Sequence, residues 1–297
     1  MSRADRWRQG PLVAAGILLG LFIVLPFLWA LSASLQTELA IFKRPPPWVP
    51  APPTVANYLY VFTGRIPEGY AVRGLLRSAI TQEARLLPSG LQNSFQIAVG
   101  VILINLVLGP LAAYTFARER FRGKDALYLF IMGSRLLPAV AVAIPTYMIV
   151  KRLGLLDTKA ALVLIYSAFT LPFTIWVLTL YFRSLPANVE EAALVDGCTR
   201  FAVLREVVLP LAAPGLAAIA AFSFLFSYSE FFFALLITST ARAKTTPVVI
   251  ASISVNPDSS YTLIAVGIVV SIVAPVLLAV FFRRFITSSL VASMERL

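Results

Sequence analysis

The stretch EEAALVDGCTRFAVLREVVLPLAAP, residues 190–214, lies between two long apolar segments of the chain. Six of its side chains are charged, namely Glu190, Glu191, Asp196, Arg200, Arg205 and Glu206. A short charged stretch between two apolar segments is typical of a loop that connects two membrane-spanning helices. This stretch therefore indicates a multi-span membrane protein, and its own residue pattern bears on function.

The whole chain has the composition of a membrane protein. Its 297 residues are 59% hydrophobic and 13% charged, whereas a soluble domain is about 45–50% apolar and about 25% charged. A membrane-spanning helix needs roughly 20 consecutive apolar residues. Six such segments occur, with at most one charged residue each: 9–37, 86–117, 126–150, 160–182, 207–241 and 259–282. No segment alternates between apolar and polar residues as the strands of a membrane β-barrel would. We therefore predict an all-α membrane protein with six transmembrane helices.

Several kinds of site are excluded by residue types that are missing or rare. The chain has no histidine and one cysteine, Cys198. Imidazole catalysis, His-ligated metals, an intrachain disulfide and a thiolate metal cluster are therefore excluded, and we expect no catalytic or metal site. The net charge of +11 could indicate nucleic-acid binding. In a membrane protein, however, basic loops usually face anionic lipid headgroups, so we expect contact with lipid and not with nucleic acid.

Basic residues beside the spans predict the orientation of the chain. Lysine and arginine totals hardly differ between the two sides, but the short turn 117–125 holds four of these residues. The short loops determine the orientation in the membrane, because long loops are translocated largely regardless of charge. We therefore expect the termini, 1–11 and 286–297, and the charged loop, 186–210, in the cytoplasm. The basic stretch at 151–159 would then lie outside, as an exception.

The first span and the loop after it have distinct expected structures. The span, 12–34, is too long for a signal-peptide core of about 7–15 residues and should remain in the protein. Residues 35–90 form the extracytoplasmic loop. Its proline-rich part, 42–54, should run extended, and a short helix around 71–86 should lie at the membrane surface. The loop is either a solvated cap or a docking surface for an external partner. The core, 91–285, contains the other five spans.

The charged loop has the pattern of two short helices joined by a bend. Asn188 can cap the first helix, with Glu191 three residues later completing a capping box, and Gly197 can end it. Thr199 can cap the second helix, whose last turn Pro210 should disturb. An amphipathic connector at the membrane interface would explain the periodicity. It would not explain the spacing of two carboxylates, two alanines and a glycine.

The second short helix is expected to be amphipathic. Its apolar residues should face inward: Phe201, Leu204, Val207 and Val208. Its charged residues should face water: Arg200, Arg205 and Glu206.

The loop resembles a known motif. Glu191-Ala192-Ala193, followed by Gly197 and then by Leu209-Pro210, is similar to the EAA motif of membrane subunits of ATP-binding-cassette (ABC) importers. Further segments resemble the maltose-type, carbohydrate-uptake branch of these permeases, and together they cover about residues 12–285. They are NYLYVF (57–62), LQNSFQIAVG (91–100), RLLPAVAVAIPTYMIVKRLGLLDT (135–158), FTLPFTIWVL (169–178) and SYSEFFFALLIT (227–238). The chain departs from the pattern at Tyr228, where tryptophan is usual, and at Cys198, where alanine is common.

The resemblance implies a fold, partners and a set of coupling residues. The fold would be that of a maltose-type ABC permease, with six spans and a cytoplasmic coupling loop. The partners would be a second homologous permease, two ATPase subunits and an extracytoplasmic solute-binding protein. The coupling set would be Glu190, Glu191, Ala192, Ala193, Asp196, Gly197, Leu209 and Pro210. In it, Glu191 would make a polar or ionic contact with the ATPase, and the two alanines would allow close packing. ATP and Mg²⁺ would bind to the ATPase subunits, because this chain has no G-x-x-x-x-G-K-[ST] phosphate loop.

Two ionisable residues lie within predicted spans, Arg135 and Glu230. Such residues cost at least about 2.5–3.5 kcal/mol to insert and are functional candidates. Arg135 lies about 15 Å from the inner end of its span and Glu230 about 30 Å from Pro210, so we do not expect them to pair. Each either satisfies unwound backbone or neighbouring-subunit groups near a proline, or lines the translocation path. Ser227 and Tyr228 could join Glu230 in hydrogen bonding to a sugar.

The leading hypothesis is the permease subunit of an ATP-driven sugar importer in a bacterial or archaeal cytoplasmic membrane. A di- or oligosaccharide of the maltose or trehalose type is the expected substrate, and a polyol, a modified monosaccharide or a sugar phosphate is the alternative. A stand-alone secondary transporter would often contain internal repeats, and none is evident. A membrane-embedded enzyme would lack acid–base groups.

Overall fold

The computed structural model describes residues 3–65, 81–255 and 260–294. These residues form helices and turns and contain no β-strand, which confirms the all-α prediction. Of the surface helix expected around 71–86, only Thr81–Leu86 is described, as a 3₁₀-helix, and the rest lies outside the described residues. The proline-rich segment 42–54 contains neither helix nor strand, as predicted, but it bends repeatedly instead of running extended. The Thr54 amide returns to the Leu35 carbonyl at 2.8 Å, so the prediction of an extended segment is wrong.

The helices differ widely in length, and several are interrupted. They are α1 (Arg3–Ser34), α2 (Glu38–Ile41), α3 (Ala56–Thr63), α4 (Leu87–Arg118), α5 (Lys124–Gly133), α6 (Ala139–Arg152), α7 (Lys159–Ser184), α8 (Ala187–Val195), α9 (Arg200–Val203), α10 (Leu209–Leu211), α11 (Ala213–Ser229), α12 (Phe232–Ile237), α13 (Thr246–Val255) and α14 (Tyr261–Met294).

Four helical segments are long and apolar enough to cross a membrane: Pro11–Ser34, Glu83–Arg118, Lys159–Ser184 and Tyr261–Phe282. Two further pairs meet the criterion only when joined across a bend. Lys124–Leu136 and Ala139–Arg152 meet at 99°, and Arg200–Leu211 and Ala213–Ser229 meet at 79°. The described residues therefore contain four continuous candidate spans, or up to six if each bent pair counts as one. The breaks occur beside prolines, which cannot continue the helical hydrogen bonding.

One compact unit comprises residues 1–88 and 249–273. In it, the Glu38 carboxylate accepts hydrogen bonds from the amides of Tyr261 and Thr262 at 3.1 and 3.2 Å, and from the Ser260 hydroxyl. These amides begin α14 and have no partner within the helix, so the carboxylate caps it. Glu38 thus connects the end of the first span to the start of the last one.

The second compact unit comprises residues 89–248 and 274–297. Its core lies around α7, where Leu162, Tyr166, Leu178 and Phe182 are fully buried. Polar side chains also join its helices: the Asn105 amide of α4 donates to Thr170 of α7 at 2.7 Å and to Ser223 of α11 at 2.8 Å. Such interhelical hydrogen bonds are typical of membrane helix packing. All the candidate coupling and path residues belong to this unit.

Asp157 connects two loops at one end of the second unit. Its Oδ1 accepts hydrogen bonds from the amides of Ser239 and Thr240 at 2.9 and 3.0 Å, and its Oδ2 accepts one from the Thr240 hydroxyl. Burial favours the neutral acid, but these hydrogen bonds and nearby Arg242 outweigh it and hold the pKa of Asp157 below its ordinary value. The carboxylate therefore stabilises the loops in its ionised form.

We expect Asp157→Asn to lower the stability of the purified protein by about 1 kcal/mol at neutral pH, because hydrogen bonds to a charged acceptor become neutral ones. The carboxylate contribution is present above its ordinary pKa, about 3.9, and is lost as the pH falls through the lowered pKa. Thermal unfolding at neutral and at acid pH measures it. Asparagine tolerates the positive φ of this residue, 56°. If acid pH lowered the stability of the wild type and of the variant by the same amount, the prediction would be contradicted.

Candidate functional site

Helix α8, the first helix of the charged loop, ends in a hydrogen-bonded glycine turn. Gly197 has a φ of +92°, which glycine adopts without steric cost. Its amide donates to the Leu194 carbonyl at 3.1 Å, and the Cys198 amide donates to the Ala193 carbonyl at 3.0 Å. These two bonds form a Schellman motif. The prediction that Gly197 ends the first helix is confirmed.

The start of α8 differs from the prediction. Pro186 occupies the N-cap position, with φ −65° and ψ 121°, and no side chain caps the helix. Asn188 lies inside the first turn, so the prediction that it caps the helix and that Glu191 completes a capping box is wrong. Proline suits a helix start because it has no amide hydrogen and its φ is already fixed. Thr199 caps the second helix as predicted, accepting the Ala202 amide at 3.2 Å.

The second helix changes its hydrogen bonding before Pro210. Leu204–Val208 forms a π-turn, after which the Leu209 amide donates to the Leu204 carbonyl. Pro210 has no amide hydrogen and cannot continue the α-helical pattern. The π-helix is rare and occurs mostly as single turns of this kind within α-helices. The predicted disturbance near Pro210 is confirmed.

The inward face of the second helix is only partly as predicted. Leu204 and Val208 are buried and Val207 is partly buried, but Phe201 is 63% exposed and Val203 is fully buried instead. Packing against the ends of α4 and α7 centres this face on Val203 and Leu204, so Phe201 points away and its predicted inward orientation is wrong. The charged residues are exposed as expected: Arg200, Arg205 and Glu206.

The neighbouring carboxylates of α8 have opposite environments. Glu190 is only 5% exposed. Its Oε1 accepts hydrogen bonds from Arg118 Nε at 2.9 Å and Nη2 at 2.6 Å, and its Oε2 accepts one from the Tyr114 hydroxyl at 3.2 Å. Glu191 is exposed and forms no hydrogen bond or ion pair with the described residues. Successive residues on an α-helix point about 100° apart, so one carboxylate faces the protein and the next faces away.

The other residues of the predicted coupling set divide between the outer and inner surfaces of the loop. Ala192, Asp196, Gly197 and Pro210 are exposed, whereas Ala193 and Leu209 are partly buried. Two large apolar side chains outside that set, Val195 and Phe201, are 87% and 63% exposed. Exposed apolar side chains rimmed by polar residues indicate a contact surface where they form one patch, so these two are candidate contacts. We name this exposed set the outer loop surface: Glu191, Ala192, Val195, Asp196, Gly197 and Phe201.

Arg135 lies in the 3₁₀ turn Ser134–Leu136, at the bend between α5 and α6. It is exposed, and its guanidinium carbon lies 5.1 Å from the centre of the Phe173 ring, a cation–π distance. The residue lines a cavity of about 130 Å³ together with Ser134, Leu137, Val142, Ala168 and Phe169. Arg135 forms no salt bridge with Glu230 in the described residues, as expected.

Glu230 lies where the helix breaks between α11 and α12. Its Oε1 accepts the Phe233 amide at 2.9 Å and its Oε2 the Ala234 amide at 3.3 Å. The carboxylate therefore caps α12. Of the two interpretations offered for this residue, this contact agrees with the one in which Glu230 satisfies unwound backbone.

Ser227 and Tyr228 are both buried within the chain. The Ser227 hydroxyl donates to the Ser223 carbonyl at 2.7 Å, and the Tyr228 ring stacks on Phe224 with centroids 5.3 Å apart. Ser227 and Tyr228 lie close to Glu230 in the chain. In the described residues, no hydrogen bond or ion pair connects Arg135 to any of these three residues. Of the four predicted path residues, Arg135 is the one that lines the described cavity.

Sequence reasoning missed the contribution of Tyr114 and Arg118. Arg118 was counted only as one of the four basic residues that orient the chain, and both carboxylates were assigned to a partner. A signal was present in the sequence, because an arginine ends α4 and a glutamate lies in the first turn of α8, and those charges suit the respective helix ends. Their meeting depends on the packing of α4 against the loop, which no local pattern specifies.

Comparison with known proteins gives a consistent result. Residues 94–292 match the family described as binding-protein-dependent transport system inner membrane component. Over 282 residues the chain is 30% identical to the trehalose/maltose transport system permease protein MalG of Thermococcus litoralis, covering 95% of this chain and 94% of that protein. It is 33% identical to the sulfoquinovosyl glycerol transport system permease protein SmoH of Agrobacterium fabrum, covering 94% of this chain and 91% of that protein.

A solved structure shows the same fold. A chain of a bacterial ABC transporter involved in the import of the acidic polysaccharide alginate matches with a TM-score of 0.75 and 22% identity, covering 96% of this chain and 98% of that one. The family match spans well over half of the sequence, and the curated relatives extend over nearly all of it. The chain therefore belongs to the binding-protein-dependent transport system inner membrane components, the multi-pass permease subunits of ABC importers, whose ATPase is a separate subunit.

Proposed function

We propose that this chain and a second, homologous permease form the transmembrane path of an importer for a di- or oligosaccharide of the trehalose or maltose type. The observation that carries the proposal is the near full-length match to a trehalose/maltose permease protein. An extracytoplasmic solute-binding protein would deliver the sugar to the side of the 35–90 loop. Both termini and the charged loop would lie in the cytoplasm of a bacterial or archaeal cell.

The charged loop is the proposed contact with the ATPase. Its outer loop surface combines a free carboxylate, Glu191, with the exposed apolar side chains of Val195 and Phe201. The small Ala192 and the left-handed Gly197 keep the surface low enough for a partner to approach closely. Two ATPase subunits would bind ATP and Mg²⁺, and their closure would push on this loop and re-orient the spans. Leu209 and Pro210 end the pushed segment, where the chain bends by 79° into α11.

The bend at Arg135 is the proposed part of the sugar path in this chain. A guanidinium that lies over an aromatic ring and lines a cavity can donate several hydrogen bonds to sugar hydroxyls. The cavity of about 130 Å³ is smaller than typical ligand pockets of about 300–1,000 Å³, so the second permease would complete it. Ser227, Tyr228 and Glu230 would act indirectly, by stabilising the broken helix that borders the path.

A second substrate class is favoured by one specific observation. Arg135 has no acidic partner in the described residues, and the carboxylate of Glu230 is occupied by backbone amides. One relative is named for sulfoquinovosyl glycerol, at 33% identity. A modified monosaccharide or a sugar phosphate is therefore the alternative cargo, and a polyol is a further one.

Co-purification tests the proposed assembly. The chain would carry a C-terminal tag, be extracted in mild detergent from its own cells, and have its stoichiometric companions identified by mass spectrometry. We expect one further permease and two copies of an ATPase. The accompanying binding protein would then be screened with trehalose, maltose, diacetylchitobiose and sulfoquinovosyl glycerol. A chain that purifies alone and transports one of these sugars in vesicles without ATP would overturn the proposal.

A further inference from the structure

We infer that Glu190 is a positioning residue that fastens the charged loop to the cytoplasmic end of α4, so that α4, α7 and α8 move as one body when the ATPase pushes on the loop. The inference rests on the proposed function, because it describes how movement of the outer loop surface reaches the spans. It also changes the predicted part of Glu190, which was assigned to the ATPase contact together with Glu191.

The contacts of Glu190 use both of its oxygens within this chain. Oε1 accepts two hydrogen bonds from Arg118, at 2.6 and 2.9 Å, and Oε2 accepts the Tyr114 hydroxyl at 3.2 Å. Glu190 is buried. A carboxylate held by a guanidinium and a phenol in this way is not free to bind a second protein.

Arg118 extends the link to a third element. Its Nη2 also donates to the Leu185 carbonyl at 3.2 Å, and Leu185 follows the last residue of α7. Tyr114 packs edge-on against Phe182 of α7, with ring centroids 6.4 Å apart. One arginine and one tyrosine at the end of α4 therefore hold both the end of α7 and the start of α8.

The helix ends strengthen the same pairing. Arg118 is the last residue of α4 and Glu190 lies in the first turn of α8. A cation is favourable at a helix C-terminus and an anion at a helix N-terminus. The pair is also largely buried and therefore weakly screened by salt, unlike a surface ion pair.

A neighbouring ion pair provides a contrast. Glu119, the residue after Arg118, lies 3.6 Å from Arg200 of α9, and both side chains are about half exposed. Exposed pairs of this kind contribute little. The two pairs join the same two regions of the chain, so replacing Glu119 is a matched control for replacing Glu190.

The test uses the complete complex in proteoliposomes and compares Glu190→Ala with Glu119→Gln. Trehalose, maltose and diacetylchitobiose are the transported probes. We expect the ATPase subunits to co-purify with Glu190→Ala and to hydrolyse ATP, while sugar import per ATP falls about tenfold, within the usual range of coupling between sites. Glu119→Gln should import normally. A merely structural defect would lower abundance and ATP hydrolysis together and would leave the ratio unchanged.

A covalent link tests the same idea without the charges. In a Cys198→Ser background, Arg118→Cys and Glu190→Cys would be joined by a short bifunctional maleimide. We expect the cross-link to restore import per ATP, because the inference requires attachment of the loop and not the ion pair itself.

The possible outcomes distinguish failure of the proposed function from failure of the inference about Glu190. If no ATPase co-purifies with the wild-type chain, the proposed function fails. If the ATPase co-purifies but Glu190→Ala imports like Glu119→Gln, or if the cross-linked complex hydrolyses ATP without import, the inference fails while the proposed function stands. Where Glu190→Ala is scarce, Glu190→Gln, which can keep hydrogen bonds to Arg118 and Tyr114, should recover abundance and most of the import, and failure to do so would also overturn the inference.

Discussion

Replacing Glu191 by lysine is expected to abolish sugar import while the chain stays folded in the membrane. The side chain is exposed and forms no hydrogen bond or ion pair with the described residues, so its reversal should leave stability nearly unchanged. In the assembled importer it would face the ATPase. Loss of a charge partner at an interface costs about 2–5 kcal/mol, so ATPase binding should weaken at least about 30-fold. The measurements are permease abundance, ATPase per permease after mild extraction, and uptake.

The control for this prediction lies on the same loop. Glu206→Lys reverses an exposed charge outside the outer loop surface, and it should leave both ATPase binding and import close to wild type. Normal import by Glu191→Lys at normal abundance would refute the assignment of Glu191. Equal loss in both variants would show that net charge of the loop, and not this carboxylate, decides docking.

The local structure of the charged loop could be predicted because its determinants are local. Gly197 ends α8 in a left-handed turn, and Thr199 caps the next helix, as the residue types indicated. The start was misjudged because a capping asparagine and a proline compete within three positions. Proline prevails at Pro186 because its φ is fixed and it has no amide to satisfy.

The orientation of side chains on the loop could not be predicted in the same way. Glu190 and Glu191 are identical and adjacent, and their sequence context does not say which one faces the protein. That choice depends on where Arg118 ends α4 and on the apolar packing of Val203 and Leu204. These are contacts between residues distant in sequence, and a periodic pattern is insensitive to them.

The predicted spans illustrate the same limit at a larger scale. The apolar segments 126–150 and 207–241 were identified from composition, which reports burial in lipid but not continuity of the helix. Their charged residues, Arg135 and Glu230, mark the interruptions: one lies at the 99° bend and the other caps the helix after a break. In this chain, each isolated charge in an apolar segment lies at an interruption of the helix. Membranes tolerate such non-helical backbone only where protein or water covers it.

Close helix packing in the second unit leads to the second large effect, expected for Gly109→Val. Gly109 is buried in α4, and a Cβ at this position would overlap the Thr174 methyl of α7. Leu178 lies 3.7 Å away on the same side, so valine cannot be accommodated by one rotation. Small residues at membrane helix interfaces allow such close approach, and overpacking a core costs typically about 1–3 kcal/mol. We expect a thermal midpoint of the purified complex lower by roughly 5 °C, with reduced abundance.

The matched control is Gly133→Val, near the end of α5, where an added Cβ meets nothing within 4 Å. Both changes replace glycine by the same β-branched residue in a helix and so change helix propensity in the same direction, which means that their difference isolates the contact between α4 and α7. Because Arg118 ends the same α4, loosening this contact should also weaken the transfer of loop movement to the spans. Equal thermal midpoints for the two variants would show that α4 and α7 do not pack as closely as Gly109 and Thr174 require.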